Sequence, residues 1–160
     1  MANLSDLKLT HRALIQAYPF RRMDWRPGTR LAKPLSKARV ALITTAGYYL
    51  PSQEPFERSF RHDDCSYREI PGQTPVDTLL IGHSSDAFDH SGIESDRNLA
   101  LPLDRLRELV EEGILGEAAP RHFSIMGSII APGRLISESG PEIAAKLRRD
   151  AVDAVLLVPV

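Results

Sequence analysis

The chain has 160 residues, of which 20 are lysine or arginine and 21 are aspartate or glutamate, so its formal net charge at pH 7 is −1. This balance favours neither nucleic acid nor an anionic membrane as a partner, and a hydrophobic content of 42% is ordinary for one globular domain. The single cysteine excludes an internal disulfide and suits a reducing compartment, and no run approaches the ~18 apolar residues of a membrane span. We therefore expect one soluble domain in the cytoplasm.

The first 38 residues are predicted to form an amphipathic helix followed by a basic lead-in. Apolar residues recur at helical spacing over residues 2–18. Residues 19–38 carry prolines and many basic side chains, and we interpret them as a solvated segment that leads into the core. The α/β core, residues 39–160, begins with a buried strand at Arg39–Thr45, and Gly47 lets the backbone turn sharply at the end of that strand.

Strands and helices alternate along the rest of the core. Residues 48–77 lack a sustained period, which predicts a long loop with one short strand at 66–70. The other predicted elements are strands at 78–82, 122–126 and 153–160 and helices at 102–112 and 142–150. The last strand is almost entirely aliphatic, which predicts burial on both faces. Alternation with short links predicts an α/β fold, with three αβα layers around a mostly parallel sheet.

Polar and small residues follow each of the first three predicted strands at the point where the strand ends. Thr45 and Gly47 follow the first strand, the segment from His83 to His90 follows the second, and Gly127 follows the third. The carboxyl ends of parallel strands share one edge of a sheet, where open α/β sheets bind their ligands. The sequence therefore predicts that these residues line one site.

The segment from His83 to His90 admits three interpretations. With Asp86 and Asp89 the two histidines offer ligand types suited to a divalent metal, but their spacing matches no standard zinc signature. A histidine can instead act as a hydrogen-bond donor or an acid–base group beside a substrate carboxylate. The third interpretation is structural, with aspartates and serines that cap the loop.

Two further residues have chemistry of interest. His122 begins a predicted buried strand, where it is either a core-edge histidine bonded to the backbone or a residue of the site. Cys65 follows Asp63 and Asp64, whose negative charges disfavour the thiolate, so the sequence does not favour it as a nucleophile. The sequence contains no serine elbow, phosphate-binding glycine loop or dinucleotide fingerprint.

Five stretches of the chain are specific in their order and combination. They are Pro34–Gly47, Ser66–Pro71, Pro102–Leu109 with Glu112–Gly113, Arg121–Gly127 and Asp153–Pro159. Together they resemble the selenoprotein B family of glycine, sarcosine, betaine and D-proline reductases, from about Pro34 to the end of the chain. In that family the strand that resembles Asp153–Pro159 leads into a redox motif, a selenocysteine or cysteine followed shortly by another cysteine and then a helix. Because selenocysteine is encoded by a codon ordinarily read as stop, we expect a chain that is truncated there and inactive by itself.

The resemblance implies reductive cleavage of a bond α to a carboxylate in a small amino-acid-like substrate. A selenol or thiol would be the nucleophile and a dithiol the final reductant. With the residues at the strand ends, the implied substrate-binding set is Thr45, Gly47, His83, Asp86, His90, Asp96, His122 and Gly127. We expect no metal or other cofactor in this chain, a thiol reductant protein or partner subunit as its partner, and leave an oligomer open. Two alternatives remain: a non-catalytic protein that binds a small acid, and a metal-dependent hydrolase or lyase built on the His83–His90 loop.

Overall fold

A computed structural model describes most of the chain. The described residues are 8–17, 24, 28–57, 64–83 and 88–160. By internal contacts the chain divides into two compact units, Met1–Arg30 and Leu31–Val160. In the first unit, helix α1 spans Leu9–Ala17, which confirms a helix within the predicted stretch, while residues 2–7 and 18 lie outside the described part. No helix among the described residues is long and apolar enough to span a bilayer.

The second unit contains the predicted alternation of strands and helices. Its elements are β1 (Arg39–Thr44), β2 (Tyr48–Tyr49), β3 (Tyr67–Pro71), β4 (Leu80–Ile81), α2 (Ser91–Ser95), α3 (Leu103–Glu111), β5 (Glu117–Ala118), β6 (Arg121–Ile125), α4 (Gly140–Arg149) and β7 (Ala154–Val158). A π-helical turn at Leu135–Ser139 leads directly into α4. The short strand predicted inside the long loop is present as β3, and both predicted helices of the core are confirmed as α3 and α4.

The main sheet has β1 inside it. β1 pairs in parallel with β7 on one side and with the consecutive segments β5 and β6 on the other, and β3 pairs antiparallel with β6. Val40 pairs with Ala118 but Ile43 pairs with Phe123, so the strand formed by β5 and β6 carries two extra residues and bulges between them. The fold is therefore α/β with a mostly parallel sheet, as predicted.

The strand predicted at 78–82 does not belong to this sheet, so this part of the prediction was wrong. The extended part is β4, and it pairs antiparallel with β2 in a separate two-stranded sheet. An apolar stretch indicates an extended segment but carries no information about its partner strand. His83, which follows β4, therefore approaches the main sheet from a flanking hairpin-like pair.

Helices cover both faces of the main sheet. On one face Leu103 and Leu106 of α3 join the buried cluster that contains Leu42 and Ile70. On the other face the hydroxyl of Tyr67 donates to Glu142 of α4 at 3.0 Å. Side chains alternate along β6, so His122 and Ser124 face α3, whereas Phe123 faces α4 and packs edge-to-face on Tyr67. The three αβα layers are thus present.

Strand β7 is exposed, contrary to the prediction from its apolar sequence. Val155, Leu156 and Leu157 are 38%, 50% and 66% exposed. β7 is an edge strand, and β1 is the one strand with which it pairs among the described residues. An apolar run is typical of a strand covered on both faces, but the sequence alone does not supply the cover.

Candidate functional site

Two glycines and a histidine meet at the carboxyl edge of the main sheet. Gly127 follows β6, and a Cβ at this position would lie 2.5 Å from Nε2 of His83 and 2.9 Å from the carbonyl oxygen of Thr45. Gly47 follows β1 with a φ of +65°, and a Cβ there would lie 3.0 Å from the backbone nitrogen of His83. Neither position has room for a side chain, so both glycines are needed for His83 to lie against the ends of β1 and β6.

Backbone hydrogen bonds fix this arrangement. The N–H of Gly47 donates to the carbonyl of Ile125 at 3.0 Å, which joins the ends of β1 and β6. The N–H of Gly82 donates to the carbonyl of Gly47 at 2.9 Å, which ties the residue before His83 to the same point. His83 therefore reaches the carboxyl edge of the main sheet although β4 belongs to the other sheet.

His83 is part of a compact aromatic cluster with Phe88 and His90. The ring centroids of His83 and Phe88 are 4.8 Å apart, those of Phe88 and His90 are 4.9 Å apart, and those of the two histidines are 5.9 Å apart. Burial, assisted by the charge of His90, lowers the pKa of His83 below 6.5, so its ring is neutral at pH 7. A neutral imidazole keeps one N–H donor and one acceptor nitrogen, and can therefore accept a proton from a thiol or donate to a carboxylate.

His90 contributes a buried ring nitrogen to this aromatic cluster. Its Nε2 is buried and has no hydrogen-bond partner among the described residues. Its backbone carbonyl accepts from the N–H of Glu94 and so starts α2. A buried polar atom without a protein partner requires an explanation such as a water molecule or a ligand.

Thr45 joins the end of β1 to the residues that follow β7. Its N–H donates to the carbonyl of Val158 at 3.2 Å, and its hydroxyl accepts from the N–H of Val160 at 2.9 Å. The carbonyl of Thr45 also faces Gly127. The segment after β7 is thus held beside the contact between Gly127 and His83, and the structure brings together five of the predicted site residues: Thr45, Gly47, His83, His90 and Gly127.

Of the other three predicted residues, the structure describes Asp96 and His122. Asp86 lies outside the described residues. The carboxylate of Asp96 accepts from the N–H of Asn98 at 2.9 Å and caps a short 3-10 helix. His122 is fully buried in the core, where its Nδ1 accepts from the N–H of Leu42 at 2.9 Å. A substrate contact for each of these three residues stays a prediction.

In the described part of the chain, the geometry supports neither a metal site nor Cys65 as a nucleophile. Among the described residues, no group of three histidine, cysteine, aspartate or glutamate side chains is arranged to hold a metal ion. Cys65 is buried, its carbonyl accepts from the hydroxyl of Ser139 at 2.5 Å, and its thiol lies 3.9 Å from the carbonyl of Ala131. These contacts tie Cys65 to the segment before α4.

A cavity of about 310 Å³ opens at the opposite, amino edge of the sheet. It is lined by Lys33, Ser36, Lys37, Arg39, Gly116, Glu117, Ala151 and Asp153. Lys33 pairs with Asp153 at 2.8 Å and Arg39 pairs with Glu117 at 2.7 Å. Arg39 and Glu117 begin the neighbouring strands β1 and β5, and Lys33 and Asp153 lie in the segments that precede β1 and β7. We therefore interpret the cavity as an ion-pair network and place the candidate site at the carboxyl edge, where ligands of α/β sheets bind.

The sequence analysis missed two parts of the candidate site. Phe88 packs against both histidines, and its signal was available because it is the one large apolar residue between His83 and His90. The backbone of Val160 gave no signal, because its hydrogen bond to Thr45 joins residues 115 positions apart.

The described residues form an α/β fold with His83 at the carboxyl edge of the main sheet, the edge at which α/β proteins usually bind their ligands. The chain belongs to the glycine/sarcosine/betaine reductase selenoprotein B family, whose family model matches residues 6–160.

Curated relatives agree with this assignment. The chain is 34% identical over 133 residues to the D-proline reductase subunit gamma of Acetoanaerobium sticklandii, a match that covers 83% of this chain and 52% of the relative. It is 30% identical over 142 residues to the sarcosine reductase complex component B subunit beta of Peptoclostridium acidaminophilum, covering 88% and 32%. A glycine reductase complex component B subunit gamma from Symbiobacterium thermophilum is 30% identical over 146 residues, covering 88% and 32%. The chain thus spans about half of the first relative and about a third of the other two, and no solved structure matches it.

Proposed function

We propose that this chain forms the substrate-side part of a selenol- or thiol-dependent reductase that cleaves a bond α to the carboxylate of a small amino-acid-like substrate. The observation that carries the proposal is a set of three contacts at one sheet edge. Gly127 contacts His83, Thr45 faces Gly127, and Thr45 also binds the backbone of Val160. The names of the relatives, all reductase subunits or components, support the reaction class.

The proposed reaction balances as follows. A substrate R–X and a dithiol give R–H, H–X and a disulfide, so the two electrons and two hydrogens that cleave the R–X bond come from the dithiol. The redox residue would follow the segment that resembles Asp153–Pro159. His83, which is neutral at pH 7, would accept the proton of the nucleophile, and His90 would provide a polar contact for the substrate carboxylate.

Partners and location belong to the same proposal. The relatives are named as subunits or components of reductase complexes, so we propose that this chain also works with a partner subunit and a thiol reductant protein. A single cysteine suits the cytoplasm, where thiols stay reduced.

Ligand binding tests the site. In a two-dimensional NMR titration with glycine, sarcosine, betaine and D-proline, one of these ligands should shift the signals of His83, His90 and Gly127. The variant His83→Ala should weaken that binding at least tenfold, whereas Lys37→Ala in the amino-edge cavity should leave it unchanged. Shifts confined to the amino-edge cavity, or no shifts with any of the four compounds, would contradict the proposed site.

Turnover tests the chemistry. The 160-residue chain by itself should form no product from these compounds and a dithiol. Dithiol-dependent product that disappears in Cys65→Ser would show that the catalytic sulfur lies within this chain. In the gene, an in-frame TGA after codon 160, followed by a cysteine codon and helix-coding sequence, supports the reductase. A TAA with no downstream reading frame would favour a small-acid-binding protein instead.

A further inference from the structure

Two buried polar atoms lie on the face of β6 that packs against α3. They are Nε2 of His122 and Oγ of Ser124, and neither has a hydrogen-bond partner among the described residues. Both side chains are fully buried. Buried polar atoms are nearly always satisfied in native proteins, and where no protein group is in reach an ordered water molecule usually serves.

The hydrogen bond at the other nitrogen of His122 fixes what Nε2 can do. Nδ1 accepts from the N–H of Leu42, so the proton of the neutral ring is on Nε2. The guanidinium of Arg107 on α3 adds to burial in disfavouring a second proton on this ring. Nε2 therefore carries a proton to donate, and no acceptor among the described residues receives it.

The spacing of the polar side chains suits one bridging molecule. His122 and Ser124 are two residues apart on one strand, so their side chains leave the same face about 6.6 Å apart. Two side chains that point the same way at this spacing are too far apart for a direct hydrogen bond. One oxygen atom between them can form a hydrogen bond of about 2.8 Å to each.

A third polar group completes the set. Thr44 is the in-register neighbour of Ser124 on β1, faces α3 and is fully buried. Its hydroxyl accepts from the N–H of Ala46 at 3.1 Å, which leaves its own proton to donate. Three polar partners are the usual number for a buried water molecule.

We propose that one buried water molecule binds between Nε2 of His122, Oγ of Ser124 and Oγ1 of Thr44. Nε2–H and the Thr44 hydroxyl donate to the water oxygen, and the water donates to Ser124. The water molecule keeps the proton on Nε2, so that Nδ1 is free to accept from the N–H of Leu42. Leu42 lies on β1, opposite the bulge between β5 and β6. Ser124 is thereby a positioning residue for β1, the strand whose end carries Thr45 and Gly47.

The change in melting temperature caused by Ser124→Ala has one sign if the water molecule is bound and the opposite sign if it is not. If the hydroxyl binds the water, its loss should lower the melting temperature by about 2–4 °C. A hydroxyl that is simply left unpaired in the core is a cost, so its removal would raise the melting temperature and overturn the proposal. Ser128→Ala, which removes an exposed hydroxyl after the same strand, should leave the melting temperature unchanged.

A second measurement observes the histidine directly. Nitrogen-15 NMR of the 160-residue chain should show His122 as the Nε2–H tautomer, with a slowly exchanging proton that has a cross-peak to water. In Ser124→Ala this proton should exchange at least tenfold faster. A Nδ1–H tautomer, or an Nε2 proton without contact to water, would exclude the site whatever the melting temperatures show.

Discussion

The ring of His83 lies so close to the backbone of Gly127 that a methyl group at Gly127 would come within 2.5 Å of Nε2. The contact joins the segment after β4, which belongs to the small antiparallel sheet, to the end of β6 in the main sheet. Two residues 44 positions apart therefore define the candidate site, and the absence of a side chain at one of them is what permits the contact.

The first prediction concerns this contact. Gly127→Ala should displace His83 and lower the free energy of unfolding by about 1–3 kcal/mol, because the new methyl group meets both the ring and the carbonyl of Thr45. Gly133→Ala is the matched control, since a Cβ there meets nothing within 4 Å and should stabilise the chain by about 0.4–1 kcal/mol. Denaturant unfolding measures both. Equal free energies of unfolding for the two variants would mean that the segment with His83 moves aside without loss of stability, and would contradict the prediction.

The second prediction is a pH dependence that comes from His122. Burial, and then the charge of Arg107, lower the pKa of His122 from 6.5 to about 4. Between pH 6.5 and pH 4 the unfolded chain binds a proton that the folded chain does not, so stability falls as the pH falls, by roughly 3 kcal/mol in all. Above pH 6.5 the ring is neutral in both states and contributes no slope.

His122→Asn isolates this effect. The Oδ1 atom of asparagine can take the place of Nδ1 as acceptor for the N–H of Leu42, but the side chain does not titrate. The difference in unfolding free energy between the wild-type chain and this variant should therefore shrink or reverse from pH 6.5 to pH 4. A difference that stays constant over this range would rule out the buried neutral histidine.

The third prediction concerns the ion pairs that hold α4 on the sheet. Arg121 on β6 donates to Asp150 at 2.6 Å and to Glu69 on β3 at 2.7 Å, and Lys146 of α4 also pairs with Glu69. Arg121→Ala should cost about 1–3 kcal/mol, because it leaves the mostly buried Asp150 carboxylate without its partner. Arg134→Ala, which breaks an exposed pair with Glu138, should cost at most about 0.5 kcal/mol.

Acid should reduce the contribution of the same network. Burial opposes the shift, but hydrogen bonds from Lys146 and Arg121 lower the pKa of Glu69 below 4.5. The folded chain then binds fewer protons than the unfolded chain, so this stability is present above pH 4.5 and is lost as the pH falls through the lowered pKa. The gap between wild type and Arg121→Ala should close in acid. A gap that is independent of pH would point to lost packing of the arginine stem instead.

The fourth prediction concerns the exposed strand β7. Val155, Leu156 and Leu157 form an uncharged apolar edge, which is the kind of strand that associates with other chains. The 160-residue chain should therefore oligomerise at micromolar concentration in sedimentation velocity experiments. Leu157→Lys should restore a monomer, whereas Leu99→Lys, at a comparably exposed leucine on a 3-10 helix, should not. A wild-type chain that sediments as a monomer would show that this edge is not adhesive.

The sequence determined the parts of the fold that depend on local chemistry. The apolar stripe of α3 predicts a helix, and the aliphatic runs of β1 and β7 predict strands. The spacing of apolar residues along a segment shows which of its faces is suited to burial, and that spacing differs between helices and strands. Gly47 and Gly127 were predicted at strand ends for a local reason as well, since a chain that leaves a sheet in a confined space needs glycine. The family resemblance also rests on short ordered stretches, and the family match confirms it.

The tertiary structure decided which segments meet. The sequence placed β4 in the main sheet, but it pairs with β2, and His83 reaches Gly127 from that second sheet. The sequence left His122 as either a core-edge histidine or a residue of the site, and only the structure shows that its Nδ1 accepts from the N–H of Leu42, 80 positions away, opposite the bulge between β5 and β6. β7 looks buried in sequence and is exposed at the edge. In each case the side chains fix a preference for burial or extension, while the partner is chosen by competition among distant segments, which only the folded chain resolves.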